Sequence, residues 1–467
     1  SYHTMNSYFG RVFYSYADKY MITANIRWDG SSNFADKHRW GVFPSVSGGW
    51  NFREESFIKD VVGDWFSQGK FRAAWGEIGN QNISSGAYLT RYGNSTYYLL
   101  GNSMTPWLSG GRTNVGNPDL RWETTRQLDF GLDLAFFNSA LKFNIDYFDR
   151  KTSDMLVQVP MPAAIGLPNT PWSNAGSVKN RGFEFVLDYH GKIGNDFSYN
   201  IAGNISTYKN KVLSLGGGTN IPGKTHLGNQ VNTMIEPGKP IGYFYGYKMD
   251  GVFQTQEEIN NYRGGPDNTI IMPTAEPGDL KFVDLNGDGK LGEEDRTMIG
   301  NPHPDFTFGL TLSGEYKGFD LSMFFQGSVG NDILNILKYD IYSGTGWYNA
   351  PKDIFDKFWT GPGSTNENFA ISANSRDNLT MSEWYIENGS YVRLKNVTLG
   401  YTFPKQWVQK LTVQNLRLFV AAQNLFTITS YSGLDPELGN SNPAFMGIDM
   451  GWYPQARSFM VGLSLKL

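Results

Sequence analysis

The segment Asp284-Leu-Asn286-Gly-Asp288-Gly-Lys290-Leu-Gly-Glu-Glu-Asp295 carries the clearest chemical spacing in the sequence. Oxygen-bearing side chains stand at positions 1, 3 and 5, glycine at 6, a main-chain carbonyl (Lys290) at 7 and a carboxylate at 12. Those are the positions from which an EF-hand loop wraps one hard cation, the glycine permitting the sharp turn. Asp295 stands where that loop usually has Glu, which brings the pattern nearer to dockerin-type loops, and Glu293 and Glu294 are further carboxylates beside it. The expectation is a structural Ca²⁺ held by Asp284, Asn286, Asp288, Lys290 and Asp295, with Mg²⁺ disfavoured by the number of protein ligands. The plain alternative is an Asx-turn loop with no ion.

Other chemistry finds little support. The five histidines (His3, His38, His190, His226, His303) have no metal-ligand spacing. No Gly-x-Ser-x-Gly elbow or Walker loop occurs, and no carboxylate pair stands out for acid–base work. The chain is therefore expected not to be an enzyme. Aromatic rings in the links between strands are candidates for cargo or partner contact: Trp107, Trp172, Trp347, Tyr348 and Trp452, with Trp359, Trp384 and Tyr453 of the same kind. Packing within the loops is the plain alternative for each of them.

Whatever these residues do must be positioned by strands. The chain has 467 residues, of which 15% are aromatic and only 18% charged, with 54 Gly and no Cys. That composition favours strands and turns over helices, and excludes disulfides and thiol chemistry. A net charge of −4 gives no electrostatic footprint for nucleic acid. No run is long and apolar enough for a transmembrane helix, but a transmembrane barrel gives a far weaker signal per strand.

Alternation of period two dominates. Leu128, Phe130, Leu132, Leu134 and Phe136 alternate with Asp129, Gly131 and Asp133; Phe459, Val461, Leu463 and Leu465 alternate with Ser458, Gly462 and Ser464. Thirteen such strands are predicted, starting near 7, 20, 41, 69, 123, 140, 180, 196, 305, 318, 390, 413 and 457. A change of apolar parity at Lys395-Asn396 predicts a bulge. Short connections alternate with long ones at 30–40, 80–121, 151–179, 210–304, 329–389 and 429–456. Sorting all long loops to one end is the layout of an outer-membrane barrel, with apolar faces toward lipid and polar faces lining the lumen. Tyr and Trp near strand ends agree. An odd strand number cannot close antiparallel on itself, so the chain is expected to be part of a barrel.

Several stretches resemble the SusC/RagA family of TonB-linked outer-membrane transporters of Bacteroidota. They are Phe9-Gly-Arg-Val with Asp29-Gly-Ser-Ser-Asn-Phe34, Ser177-Val-Lys-Asn-Arg-Gly-Phe-Glu184, and Asp284 to Lys290 followed by Gly300-Asn-Pro-His-Pro-Asp-Phe306. Glu387-Asn-Gly-Ser-Tyr-Val-Arg-Leu-Lys-Asn-Val-Thr-Leu-Gly-Tyr401, Leu416 to Thr427 and Tyr431-Ser-Gly-Leu-Asp-Pro-Glu437 complete the set.

The resemblance implies an all-β transmembrane antiparallel barrel of which this chain, over 1–467, is the last thirteen of twenty-two strands. The plug and its contact with the TonB complex would lie outside this chain. The implied function is import of oligosaccharides or peptides across the outer membrane, with a SusD-like surface lipoprotein as lid and a possible dimer of importer–lid pairs. A siderophore-type receptor without a lid and a secreted, calcium-stabilised carbohydrate-binding protein are the two alternatives.

Overall fold

A computed structural model describes residues 3–99, 106–158, 170–216, 220–223, 225–226, 230–342, 349–371, 377–408, 413–439 and 442–466, without the side chains of 94–99, 106–114, 225–226 and 377. Contacts divide it into two compact units: 1–192 with 200–221 and 236–238, and 193–199 with 222–235 and 239–467.

The framework of the first unit is β1 (Met5–Tyr16), β2 (Tyr20–Ser31), β3 (Trp40–Trp50), β4 (Phe66–Asn80), β5 (Glu123–Phe136), β6 (Leu141–Ser153), β7 (Ser177–Ile193) and most of β8 (Phe197–Ser214). Each strand is bonded to its chain neighbour, antiparallel from β1 through β7. The second unit carries β9 (Phe306–Tyr316), β10 (Phe319–Val329), β11 (Tyr391–Thr402), β12 (Asn415–Thr429) and β13 (Ser458–Lys466), again antiparallel in chain order. All thirteen predicted strands are present, and each begins within three residues of its expected start. The predicted bulge is present too: Lys395 drops out of the register between Leu394 and Asn396 against both β10 and β12.

The tight turns follow from chirality. Ala17 and Asp18 both have positive φ, as do Lys317 and Gly318. Two such residues make the hairpin turn whose twist matches the flanking strands.

The faces run opposite to those of a soluble sheet. On β2, Tyr20, Ile22, Ala24, Ile26 and Trp28 are exposed while Met21, Thr23 and Asn25 between them are half-buried. Phe459 and Val461 on β13 are each 74% exposed. A soluble sandwich would bury these faces, whereas lipid is the solvent that accepts them.

Two corrections to the sequence reading concern the links. The stretch 80–121, expected as a loop, holds a two-stranded hairpin of Arg91–Leu99 and Pro106–Asn114. The short-end link 51–65 is longer than the long-end link 32–39, because it contains a helix, α1 (Ser56–Val62).

Close packing between strands explains one motif glycine. A Cβ on Gly182 would lie 1.9 Å from the Thr207 carbonyl oxygen of β8, and backbone cannot move aside as a flexible side chain can. Gly182→Val is expected to cost about 1–3 kcal/mol through forced backbone displacement. The measurement is the temperature at which the detergent-solubilised barrel loses its heat-shifted migration, and an unchanged temperature would refute this packing.

Candidate functional site

Polar residues on the face opposite the lipid-facing rings form lateral charge ladders. In the first unit Arg72 of β4 donates two bonds of 2.8 Å to Asp133 of β5 and one of 2.8 Å to Asp146 of β6. Asn144 adds 2.6 Å to Asp133. The reach from β4 to β6 passes over Gly131, where a Cβ would stand 2.4 Å from the Asp146 carboxylate and 2.5 Å from the Arg72 guanidinium. In the second unit Arg417 of β12 bonds Asp320 of β10 across Gly400 of β11, where a Cβ would meet both groups at 2.5 Å. Each glycine is a gap that lets a cation reach a carboxylate two strands away.

Strands β2–β4 hold a polar hollow of about 430 Å³ lined by Asn25, Arg27, Asp29, Ser45, Glu77 and Asn80, among others. Arg27 is forked onto Asp29 at 2.8 and 2.7 Å, and Glu77 accepts two bonds from Arg126. These wall residues were not singled out from the sequence. Strand parity carried a signal for all but Glu77, which shares the parity of Phe71 and Trp75, but parity does not say which of them meet.

The long links of the second unit build a conventional hydrophobic core. Phe253, Phe282, Phe369, Met381 and Tyr385 are fully buried in it, and Trp384 nearly so. The aromatic candidates separate here. Trp384 donates to Asn368 at 3.0 Å inside that core, and Trp359 packs against it. Trp172, in the first unit, packs against the small cluster of Phe34, Phe43, Ile83, Ala87, Leu120 and Trp122. Trp452 and Tyr453 stay exposed. The side chain of Trp107, on the Pro106–Asn114 strand, and the whole of Trp347 and Tyr348 lie outside the described residues. Of the five, the side chains of Trp172 and Trp452 are therefore the described ones, the first packed and the second exposed.

The stretches with family resemblance turn out to bond loops to strand ends. Arg393, with its side chain 4% exposed, pairs with Asp435 and Glu437 and donates to Thr427 at 2.7 Å. Lys395 also reaches Glu437 at 2.8 Å. Asp435 accepts from the amides of Gln455 and Glu437, each at 2.9 Å. One stretch thus clasps the other. Glu387 accepts from the Ser432 amide and hydroxyl at 2.9 Å, and Tyr431 donates to Asp449 at 2.6 Å. Asn301 and Asp332 exchange two bonds of 2.8 Å, one backbone and one to the Asp332 carboxylate. His303 donates Nε2–H to the Ile241 carbonyl at 2.9 Å, and burial pushes its pKa down, which favours the neutral imidazole.

In the Asp284–Asp295 loop, carboxylates and amide oxygens bond main-chain N–H groups. Asp284 accepts from Gly287 (2.7 Å) and Gly289 (2.8 Å), Asn286 from Asp288 (2.8 Å), and Asp288 from Lys290 (2.9 Å). Buried Asp295 accepts from Leu285, Asn286 and Gly292. Gly289 has the positive φ that position 6 requires. No group of three or more His, Cys, Asp or Glu side chains set to hold a metal ion occurs among the described residues.

Antiparallel strands with apolar faces outward, charge ladders on the other face and bulky ordered links define the wall of an outer-membrane β-barrel. Residues 1–425 match the TonB dependent receptor-like, beta-barrel family. The chain is 37% identical to TonB-dependent receptor P3 of Formosa agariphila, over 98% of this chain and 45% of that protein. It is 32% identical to TonB-dependent receptor SusC of Bacteroides thetaiotaomicron, over 99% of this chain and 44% of that one. The fold resembles that of the RagAB peptide transporter with a TM-score of 0.80 at 24% identity, over 99% of this chain and 48% of that chain. The chain spans about half the length of the curated relatives it matches. It belongs to the TonB-dependent receptor barrels, and its place is the outer membrane.

The Arg393 clasp has a definite pH response. Burial opposes the Asp435 charge, but Arg393 and the two amides outweigh it and hold the carboxyl below its ordinary range. A depressed carboxylate contributes stability that is complete above the ordinary pKa of about 4 and is lost as pH falls through the lower folded value. Amide hydrogen exchange over 431–437 is expected to stay slow above that pH and to quicken below it. Arg393→Met, which leaves a buried carboxylate unpaired, should speed exchange at neutral pH by at least about a hundredfold, the lower end of a 3–5 kcal/mol loss. Exchange unaffected by either change would show that the clasp does not hold the loop.

Proposed function

We propose that this chain is the barrel part of an importer that carries oligosaccharides or peptides across the outer membrane, coupled to TonB through a plug and working with a SusD-like surface lipoprotein. The observation that carries this is the polar wall, with its charge ladders and the hollow at Arg27, Asp29 and Glu77, in a barrel of this family. Such a wall is hydrophilic enough to pass a hydrated polymer, and it offers hydrogen-bonding partners suited to hydroxyl or peptide groups. The relatives support the class of cargo: one is named SusC, and the RagAB structure is described as a peptide transporter. Cargo would be held by many weak contacts, with no catalyst among them, and the exposed Trp452 and Tyr453 are the best placed of the described aromatic candidates to stack on it or on a lid.

A strain lacking the receptor is expected to lose growth on a particular glycan or peptide mixture while iron-limited growth is unchanged. The receptor extracted in mild detergent should bring a lipoprotein with it in stoichiometric amount. Loss of iron-limited growth alone, with no lipoprotein, would favour a siderophore receptor.

The same reading gives the Asp284–Asp295 loop a structural Ca²⁺. All its donors are oxygens, the chemistry of a hard cation, and a carboxylate oxygen already accepting an amide keeps a second lone pair. Asp284, Asn286, Asp288, the Lys290 carbonyl and Asp295 would hold it, and the ion would stiffen the link. Millimolar Ca²⁺ is expected to slow proteolysis of residues 263–300 at least about tenfold in the purified receptor, and Asp288→Ala to remove that effect, as binding linkage requires. Equal cleavage with Ca²⁺ and with chelator would leave the Asx-turn bonds as the loop's sole support.

A further inference from the structure

The link 51–65 lies at the end of the sheet where the other connections are tight turns, yet it contains helix α1. Its apolar residues are Phe57, Ile58, Val61 and Val62, a continuous stripe at i, i+1, i+4 and i+5. Packing uses only half of it. Ile58 and Val62 are partly covered, whereas Phe57 is 66% and Val61 80% exposed. Lys59 and Asp60 occupy the polar side, and Lys59 pairs with Glu54 at 2.9 Å.

The helix is held firmly in this pose. Glu55, just before it, is buried and accepts from the Tyr20 hydroxyl, from Lys19 at 3.1 Å and from the Trp50 indole at 3.2 Å. Arg53 donates to the Phe66 carbonyl and, at 3.1 Å, to that of Gly63, which ends the helix with positive φ. These bonds tie both helix ends to the rims of β2, β3 and β4.

The exposed half-stripe continues an interface already established. Trp50 and Phe136 end the lipid-facing rows of β3 and β5. A chain of ring contacts runs from Trp50 to Phe52 (5.7 Å), Phe66 (6.1 Å), Phe136 (5.3 Å) and Trp65 (5.8 Å, planes 12° apart). Trp65 is itself exposed and directly follows the helix link. Aromatic rows of this kind mark headgroup level in outer-membrane barrels. A short amphipathic helix bonded rigidly to that row, with its spare apolar side open, fits the boundary between headgroups and acyl chains.

We propose that α1 is an in-plane membrane anchor, with Phe57 and Val61 inserted among the phospholipids of the leaflet at the short-turn, periplasmic end of the barrel. It would fix the depth and tilt of the β2–β5 wall in the bilayer.

The absence of cysteine from this chain suits the test. Nitroxide labels are placed singly by Phe57→Cys, Val61→Cys and, as the polar control, Asp60→Cys in the whole receptor, with any cysteine outside this chain replaced by serine. The labelled proteins are reconstituted in phosphatidylethanolamine–phosphatidylglycerol vesicles, and retained heat-shifted migration confirms that each is folded. Collision rates with oxygen, which partitions into lipid, and with a water-soluble nickel chelate are then read by electron paramagnetic resonance. The expected result at 57 and 61 is high oxygen access, with nickel access at least about threefold below that at 60, a depth of about 5–10 Å. Nickel access at 57 and 61 equal to that at 60 would place this side in water and overturn the proposal. Immobile labels shielded from both reagents would mean that protein, such as a second copy of the receptor, covers the helix, and would overturn it equally.

Discussion

A backbone amide or carbonyl in hydrocarbon has no water to bond, and each one left unpaired costs several kcal/mol. That constraint governs the framework. It makes strands bond continuously to their neighbours, and it frees the outward side chains to be apolar without a protein partner. Ile22, Ile26, Phe459 and Val461 would be liabilities on a soluble sheet and are ordinary here. Charged groups on the opposite face then neutralise one another laterally. Arg72 with Asp133 and Asp146, and Arg417 with Asp320, show how this is arranged when the partners stand two strands apart: the strand between them carries glycine.

The links obey the opposite rule. They are bathed by water, so they bury Phe253, Phe282, Phe369 and Tyr385 as any soluble domain would. A single chain therefore reads apolar-out along its strands and apolar-in along its loops. The two regimes must be joined at strand ends, and several of the stretches that resemble the family reach them. Arg393 with Asp435 and Glu437 joins a strand to a loop, and Glu387 with Ser432 and Asn301 with Asp332 join two links just beyond strand ends. A stretch that resembles a family need not mark chemistry; the one at Arg393 marks where an ordered loop is fastened to the wall.

At the other end of the sheet the joints are aromatic. The row from Trp50 to Trp65 sits where strands leave the lipid, and the Glu55 and Arg53 bonds fix a helix against it. Both ends of the wall thus spend buried polar bonds on holding a connection in place, one set for a soluble loop assembly and one for an amphipathic helix.

Much of this was legible in the sequence, because strand periodicity is local. A polypeptide in a strand shows its faces alternately, so Leu128 to Phe136 declare their length, their face and their solvent with no knowledge of the rest. All thirteen starts and the bulge at Lys395 follow from such short-range reading, as does the sorting of most links; 51–65 outgrows 32–39 because it holds α1. What tertiary structure alone decided are the meetings between residues far apart in the chain. Nothing local separates Trp384, buried in the loop core, from Trp452, exposed beside Tyr453. Nothing local pairs Arg393 with Asp435, or marks Gly131 as the gap beneath Arg72. Alternation comes from the covalent geometry of each residue with its next neighbours, whereas burial and ion pairing depend on which distant segments the fold brings to the same place.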